Sequence, residues 1–166
     1  METNEPSIQA TVKKLGARLL MKGRRLATAE SCTGGWVAKV ITDIPGSSDW
    51  FECAIVSYSN ASKHHFLGVP DGLLLDHGAV SENTVLAMLR GLFEQTRADA
   101  GISISGIAGP GGGSEDKPVG TVWIAWGLRG QLAHTQLFRF DGDRNAVRLQ
   151  SVAAALNAML ELVEST

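Results

Sequence analysis

Ala29-Glu30-Ser31-Cys32-Thr33-Gly34-Gly35-Trp36 joins an apolar segment to a segment with helical periodicity. A short strand that ends here, followed by two glycines and a helix, indicates an α/β protein. Such a connection can hold a serine or a thiol beside the backbone N–H groups of a helix N-terminus, which stabilise an anion. The stretch therefore predicts an α/β fold with a polar site at the end of its first strand.

Two further segments combine small and polar residues in the same way, each directly after an apolar run. The first is Tyr58-Ser59-Asn60-Ala61-Ser62-Lys63. The second is Ser105-Gly106-Ile107-Ala108-Gly109-Pro110-Gly111-Gly112-Gly113-Ser114. Three such clusters at three predicted strand ends indicate one composite site.

Apolar residues recur with helical spacing in some segments and form short continuous runs in others, which separates helices from strands. The pattern predicts a helix over 7–22, a strand over 26–30, a helix over 34–43, a strand over 53–58, helices over 60–67 and 82–97, strands over 100–105, 120–126 and 132–140, and a last helix from the cap Asp143 to Val163. Residues 70–80 show no clear periodicity. We expect an α/β fold, a three-layer α/β/α sandwich, whose sheet is mixed and mostly parallel because of the hairpin over 120–140. All 166 residues are expected to form one domain.

Composition is that of an ordinary globular protein. Hydrophobic residues make up 44% and charged residues 19% of the chain, with a mean hydropathy of +0.04. A net charge of -2 gives no basic surplus for a phosphate backbone, so no nucleic-acid partner is expected. No apolar run approaches the roughly 20 residues of a membrane helix, and the N-terminus lacks a signal-peptide pattern. These features predict a cytoplasmic protein without a membrane partner.

Several established motifs are absent from the chain. The loop over 106–120 lacks both the Gly-Lys-Ser/Thr ending of a P-loop and a Gly-x-Gly-x-x-Gly, which leaves a flexible crossover or a backbone cradle for an anion. Gly101-Ile102-Ser103-Ile104-Ser105 ends in serine where a nucleophile elbow has glycine. The two cysteines and the scattered histidines have no metal-ligand spacing, so no metal is expected.

Ser31 is the strongest candidate nucleophile, because the N–H groups of the Thr-Gly-Gly helix start can meet an oxyanion beside it. Cys32 is ranked lower, since a small buried thiol under a strand end is common. None of the four histidines has an obvious carboxylate partner for a Ser-His-Asp triad. Lys63 is the alternative base, since desolvation lowers a lysine pKa from about 10.4 toward neutrality. The ordinary interpretation of this lysine is a solvated surface charge.

Tyr58 and two arginines add polar groups near the predicted strand ends. Tyr58 is the only tyrosine, and it is either a buried aromatic with its hydroxyl at the rim or a group that orients a ligand or shuttles a proton. Arg144 and Arg148 lie one turn apart at the start of the last helix, where the helix dipole disfavours a cation. A bound anion or an ordinary salt bridge to Asp141 or Asp143 would compensate them.

Together these segments resemble the CinA C-terminal domain family. The resemblance runs from about residue 12 to the end of the chain. The matching residues are Thr28-Ala29-Glu30-Ser31-Cys32-Thr33-Gly34-Gly35, Tyr58-Ser59-Asn60 with Lys63, Gly78-Ala79-Val80-Ser81, Ser105-Gly106-Ile107-Ala108-Gly109-Pro110 with Gly112-Gly113-Ser114, Lys117-Pro118-Val119-Gly120-Thr121-Val122 and Gly142-Asp143-Arg144.

Stand-alone members of that family hydrolyse the carboxamide of nicotinamide mononucleotide (NMN). The resemblance implies the same amidohydrolase activity here, in pyridine nucleotide recycling and without a cofactor. It implies that Ser31 attacks the amide carbon, Lys63 accepts and returns the proton, and Tyr58 assists. It also implies a homodimer and the substrate-binding residues Thr33, Gly34, Gly35, Asn60, Ser105, Gly106, Gly109 and Arg144. The alternative is a non-catalytic nucleotide-binding or partner-binding module of a competence or DNA-damage pathway.

Overall fold

The computed structural model describes residues 4–166 and contains, over that range, six α-helices, one 3₁₀ turn and five strands. In chain order these are α1 (Glu5–Met21), β1 (Leu26–Glu30), α2 (Trp36–Thr42), the 3₁₀ turn (Ser47–Asp49), β2 (Phe51–Val56), α3 (Asn60–Leu67), α4 (Asp71–His77), α5 (Glu82–Gln95), β3 (Ala100–Gly106), β4 (Thr121–Leu128), β5 (His134–Arg139) and α6 (Arg144–Ser165). Each helix and strand that the sequence predicts is present, with its ends within two residues of the prediction.

The helix α4 is an element that periodicity does not predict. It begins after Pro70 and ends at Gly78, where φ is +75°. Leu74 is its buried residue, so the segment has no apolar stripe for a sequence pattern to detect.

The five strands form one mixed sheet in the order β2-β1-β3-β4-β5. β1 pairs in parallel with both β2 and β3, whereas β4 pairs antiparallel with β3 and with β5. Four strands therefore run in one direction, and β4 runs against them. The β4–β5 hairpin confirms the prediction of a mixed sheet.

Helices cover both faces of this sheet, which confirms the three-layer α/β/α sandwich. The helices α1, α2 and α6 pack on one face, and α3, α4 and α5 pack on the other. By length and composition α6 could span a membrane. Its apolar stripe nevertheless belongs to the core of the fold, with Val147, Val152, Leu156, Met159 and Val163 all buried.

The carboxyl ends of β1, β2 and β3 meet at one edge of the sheet, because these three strands are parallel. β1 is buried along its whole length, with Leu26 packed on the α1 side and Ala27 and Ala29 on the α5 side. Side chains alternate across a strand. Glu30 therefore faces α2, and Ser31 faces α3.

Candidate active site

Ser31 follows the last residue of β1 and continues the pairing of that strand. Its N–H donates to the carbonyl oxygen of Ile104 at 3.0 Å, which fixes its backbone against β3. The residue is 8% exposed, and its side chain points toward α3. The strand end thus holds a serine hydroxyl at the wall of a small cavity.

Lys63 lies near the start of α3, and its side chain extends back toward the helix N-terminus, as long side chains of helices do. Its Nζ lies 2.9 Å from Oγ of Ser31. Two backbone carbonyl oxygens, those of Ser57 and Tyr58, lie 2.8 Å and 3.4 Å from the same Nζ. Because Lys63 is only 1% exposed, its interpretation as a solvated surface charge is wrong.

Burial lowers the pKa of Lys63 from 10.5 to about 8, because the charged form loses its hydration. Close to that pH a large fraction of the molecules carries the neutral amine. Two N–H groups of the amine then match the two backbone carbonyls, which leaves the lone pair for the Ser31 hydroxyl. In this state the serine can pass its proton to the lysine.

Burial acts on Cys32 in the opposite direction. It raises the pKa of this thiol from 9.0 to about 12, so the thiol stays protonated at neutral pH. A protonated thiol is a weak nucleophile. The electrostatics of the site therefore favour Ser31 over Cys32 as the attacking group.

A cavity of about 200 Å³ opens beside the pair formed by Ser31 and Lys63. Its lining brings together six sequence-predicted site residues, namely Ser31, Tyr58, Lys63, Ser105, Gly106 and Arg144. The rest of the lining is Cys32 and an apolar wall formed by Ala79, Val80 and Ala108. Oγ of Ser105 donates to the carbonyl oxygen of Ala79 at 2.6 Å, which fixes that wall to the end of β3.

Arg144 spans the mouth of this cavity. Its guanidinium donates to the hydroxyl of Tyr58 at 3.0 Å and to the carbonyl oxygen of Gly109 at 2.8 Å. Tyr58 is 59% exposed, so its interpretation as a buried aromatic is wrong. The salt bridge considered for Arg144 is wrong as well, because the ion pairs of the described chain do not join it to Asp141 or Asp143. Asp143 instead accepts a backbone N–H and caps α6.

Thr33, Gly34 and Gly35 form the turn into α2, where the sequence predicted donors for a substrate anion. In the structure the Glu30 carboxylate takes these donors, accepting from the Thr33 hydroxyl at 2.7 Å and the Gly35 N–H at 2.9 Å. Two further N–H groups of α2 donate to it as well. Both glycines have positive φ, +60° and +91°, which favours residues without a Cβ. Contact of this turn with the substrate stays a prediction.

Asn60 and Gly109 are not among the residues that line the cavity. Asn60 is exposed in the first turn of α3, outside the lining. Gly109 is buried, and it reaches the site through its carbonyl oxygen, which accepts from Arg144. Their roles as substrate contacts stay predictions.

Two charged residues beside the site have contacts that the sequence did not assign. For Glu30, the sequence feature that could have identified this role is a carboxylate at the end of a buried strand, directly before the start of a helix. Arg148 donates to the carbonyl oxygens of Cys32 and Thr33, and its guanidinium lies 5.1 Å from the centre of the Trp36 ring. The apolar wall at residues 79–80 lies in a segment without periodicity, so only the family resemblance, through Gly78-Ala79-Val80-Ser81, pointed to it.

Comparison with known proteins places these motifs in one family. The sequence profile of the CinA C-terminal domain matches residues 8–163. The chain is 53% identical over 147 residues, 89% of each chain, to "Nicotinamide-nucleotide amidohydrolase PncC" of Escherichia coli K12. It is 50% identical over 155 residues, 93% of this chain and 96% of the relative, to the protein of the same name from Pseudomonas putida.

Solved structures agree with this placement. The crystal structure of the competence/damage inducible protein CihA from Agrobacterium tumefaciens superposes with a TM-score of 0.91 at 38% identity, over 93% of this chain and 94% of that one. The sequence match and the structural match each cover most of the chain. The chain belongs to the CinA C-terminal domain family.

Proposed function

We propose that the protein is a nicotinamide-nucleotide amidohydrolase, which converts NMN and water to nicotinate mononucleotide and ammonia. One observation carries the proposal: Nζ of the buried Lys63 lies 2.9 Å from Oγ of Ser31. The names of relatives that are 50% and 53% identical supply the substrate. Hydrolysis of an amide needs an activated nucleophile, because an amide is a poor electrophile, and this pair supplies one.

The first half of the reaction releases ammonia. Oγ of Ser31 forms a bond to the carboxamide carbon while its proton moves to Nζ of Lys63. The tetrahedral intermediate then collapses, the C–N bond breaks, and the Lys63 ammonium gives its proton to the departing nitrogen. Ammonia leaves, and the nicotinate carbonyl remains as an ester of Ser31.

The second half regenerates the serine. A water molecule attacks the ester carbon and gives its proton to the neutral Lys63. When the ester bond breaks, Lys63 returns this proton to Oγ of Ser31 and the nicotinate carboxyl group leaves. The same two side chains thus serve both halves of the reaction, and the mechanism needs no metal or organic cofactor.

The size of the cavity suits one part of the substrate. About 200 Å³ is below the roughly 300–1,000 Å³ of sites that enclose a drug-sized ligand, so we expect the pyridine carboxamide to enter and the ribose phosphate to stay outside. The apolar wall of Ala79, Val80 and Ala108 suits a flat aromatic ring. Arg144 at the mouth provides a positive charge for the phosphate.

The electrostatics suit a pyridinium as well. NMN carries a positive charge on its ring, which would repel a lysine ammonium in the same cavity. A neutral Lys63, with its pKa lowered to about 8 by burial, avoids this repulsion. The residue thus fits both the reaction and the charge of the substrate.

The other site residues have supporting roles in this proposal. Tyr58 assists through its hydroxyl, which the guanidinium of Arg144 holds at the mouth. Ser105 and Gly106 shape the cavity wall, and Gly109 anchors Arg144. Thr33, Gly34, Gly35 and Asn60 remain candidate contacts for the ribose or the phosphate.

The proposal extends to the cellular setting. We place the enzyme in the cytoplasm, as a homodimer that recycles pyridine nucleotides without a nucleic-acid or membrane partner. The net charge of -2 supports the absence of a nucleic-acid partner, because phosphate-backbone binding relies on basic side chains.

Ammonia release from NMN by the purified protein tests the proposal. Ser31→Ala and Lys63→Ala should each abolish activity while the thermal melting curve stays cooperative. Ser165→Ala and Lys13→Ala change the same residue types at exposed positions outside the cavity, and these controls should keep full activity. Full activity in Ser31→Ala would contradict the proposed nucleophile.

Calorimetry separates the enzyme from the alternative binding module. Ser31→Ala should bind NMN without turnover, and the wild-type protein should turn it over. Binding of NMN to the wild-type protein without any ammonia would replace the hydrolase by a nucleotide-binding module.

A further inference from the structure

Glu30 and Arg148 hold opposite sides of the turn over residues 31–35. The Glu30 carboxylate is completely buried and accepts five hydrogen bonds, whose donors are Thr28 Oγ1, Thr33 Oγ1 and the N–H groups of Gly35, Val37 and Ala38. Arg148 donates to the carbonyl oxygens of Cys32 and Thr33 at 3.1 Å and 2.8 Å. The turn is therefore bound through N–H groups on one side and through C=O groups on the other.

Capping α2 does not by itself require a buried carboxylate. The helices α1, α3 and α6 begin with exposed caps, Asn4, Ser59 and Asp143. Burying a carboxylate is unfavourable unless donors and dipoles compensate its charge. At α2 this compensation comes from the first turn of the helix, and the carboxylate lies one residue before Ser31.

Glu30 also connects to the second member of the catalytic pair. Its backbone carbonyl accepts the N–H of Ser57 at 2.9 Å, and the carbonyl of Ser57 accepts from Nζ of Lys63 at 2.8 Å. Nζ in turn contacts Oγ of Ser31, the residue bonded to Glu30. These contacts form a closed ring, so a displacement of Glu30 changes the distance between the serine and the lysine.

We propose that Glu30 and Arg148 are positioning residues, which clamp the turn after Ser31 and keep its hydroxyl in contact with Lys63. The proposal rests on the proposed hydrolase function, which gives this contact its chemical role. Neither residue lines the cavity, so both act through Ser31.

The hydrogen bonds of Glu30 make the isosteric amide a sharp test. Oε1 accepts from Thr28 and Ala38, and Oε2 accepts from Thr33, Gly35 and Val37. In Glu30→Gln the amide NH₂ replaces one of these oxygens and points at backbone N–H donors in either orientation. At least one donor is then left without an acceptor, although the side chain has kept its shape. Glu30→Asp keeps the charge and retains part of the bonds.

Steady-state kinetics of NMN hydrolysis test the clamp of Glu30 and Arg148. A misplacement of about 1 Å costs about 100-fold in rate, so we expect kcat to fall about 100-fold in Glu30→Gln and at least tenfold in Arg148→Met. Glu30→Asp and Arg148→Lys should each recover part of this loss. KM should change by less than about threefold, since neither residue lines the cavity that we assign to the pyridine carboxamide. Leu19→Ala, a core variant in α1, should lower the melting temperature and keep kcat.

A second measurement does not depend on the substrate. The NMR titration of the Lys63 ¹³Cε signal should have its midpoint near the pKa of about 8 in the wild type and in Leu19→Ala. In Arg148→Met and Glu30→Gln the loosened turn admits water, so the midpoint should move up toward the reference value of about 10.4. If Glu30→Gln does not fold, Arg148→Met carries the test, because Arg148 is only half-buried.

Two results would overturn the clamp. One is an unmoved Lys63 titration in folded Arg148→Met and Glu30→Gln. The other is a rise in KM with unchanged kcat, which would make Arg148 a substrate contact instead. Absence of NMN hydrolysis by the wild-type protein would refute the proposed function, and the titration would still decide whether the clamp exists.

Discussion

At the scale of single residues, the buried amine of Lys63 sets the pH behaviour of the protein. We expect kcat/KM for NMN to rise with pH through one ionisation with a midpoint at the pKa of about 8, because only the neutral amine accepts the serine proton. Rates measured from about pH 6 to pH 10 check this. Lys63→Arg should be inactive throughout, since a guanidinium stays protonated. A wild-type rate that is constant across this range would contradict the role of Lys63.

The same residue makes stability depend on pH. The folded-state pKa of Lys63 is lowered to about 8 from 10.5, so between these values the unfolded chain binds more protons than the folded one. The penalty of the buried charge is therefore fully present below about pH 8 and disappears as the pH rises past 10.5. We expect the free energy of unfolding of the wild type to gain up to about 3 kcal/mol over this interval relative to Lys63→Met.

Urea unfolding of both proteins near pH 7.5 and pH 10.5 measures this difference. The other lysines are common to both proteins, so their contributions to the pH dependence of stability cancel when the wild type is compared with Lys63→Met. Parallel pH dependence in the two proteins would show that folding does not lower the pKa of Lys63.

At the scale of elements, the alternation of side chains in β1 separates two tasks. Glu30 points toward α2 and binds the helix start, while Ser31 points toward α3 and meets Lys63. One strand end therefore anchors two elements that lie on opposite faces of the sheet. This explains why a buried carboxylate and the proposed nucleophile are neighbours in the sequence.

The approach of α5 to α3 controls where Lys63 lies. A methyl group at Gly91 of α5 would overlap the carbonyl oxygen of Leu67, the last residue of α3. Gly91→Ala should therefore lower the free energy of unfolding by about 1–3 kcal/mol, although alanine is the better helix former. The displaced α3 should also reduce activity.

Gly72→Ala provides the matched control for this prediction. A methyl group at Gly72 in α4 meets no other atom within 4 Å, so this variant should melt at or above the wild-type temperature and keep full activity. Equal melting temperatures for the two variants would show that α3 and α5 can move apart without a loss of stability.

At the scale of the whole molecule, the candidate site joins elements that are distant in the sequence. Ser31 follows β1, Lys63 belongs to the helix after β2, and Ser105 ends β3. The residues Ala79 and Val80 come from the connection between α4 and α5. A ligand in the cavity would therefore bind only the folded arrangement of all these segments.

This arrangement predicts strong thermal stabilisation by the substrate. NMN at 100 times its dissociation constant adds about 2.7 kcal/mol to the stability of the inactive Ser31→Ala variant. For a chain of this size the melting temperature should rise by roughly 5–10 °C. Scanning fluorimetry with NMN, and with ribose 5-phosphate as the control ligand, measures the shift. Equal shifts for both ligands would mean that the pyridine carboxamide does not enter the cavity.

The sequence alone determined most of the helices and strands and singled out the proposed catalytic pair, Ser31 and Lys63. Periodic apolar stripes predict α1, α5 and α6, because burial of one helix face repeats every three to four residues. The local chemistry of Ser31 and Lys63 could be recognised because each stands in a short polar cluster directly after an apolar strand. The family resemblance connected these clusters to one reaction.

Only the tertiary structure decided how these groups act. Burial lowers the pKa of Lys63 and raises that of Cys32, and both effects come from atoms that are remote in the chain. The donors at the start of α2 went to Glu30 because the fold brings its carboxylate under the helix. The fold also brings the Arg144 guanidinium to the Tyr58 hydroxyl and to the Gly109 carbonyl oxygen across the cavity mouth. Sequence patterns show local periodicity. The desolvation of a side chain and its hydrogen-bond partners depend on which residues, distant in the chain, lie next to it in the folded protein.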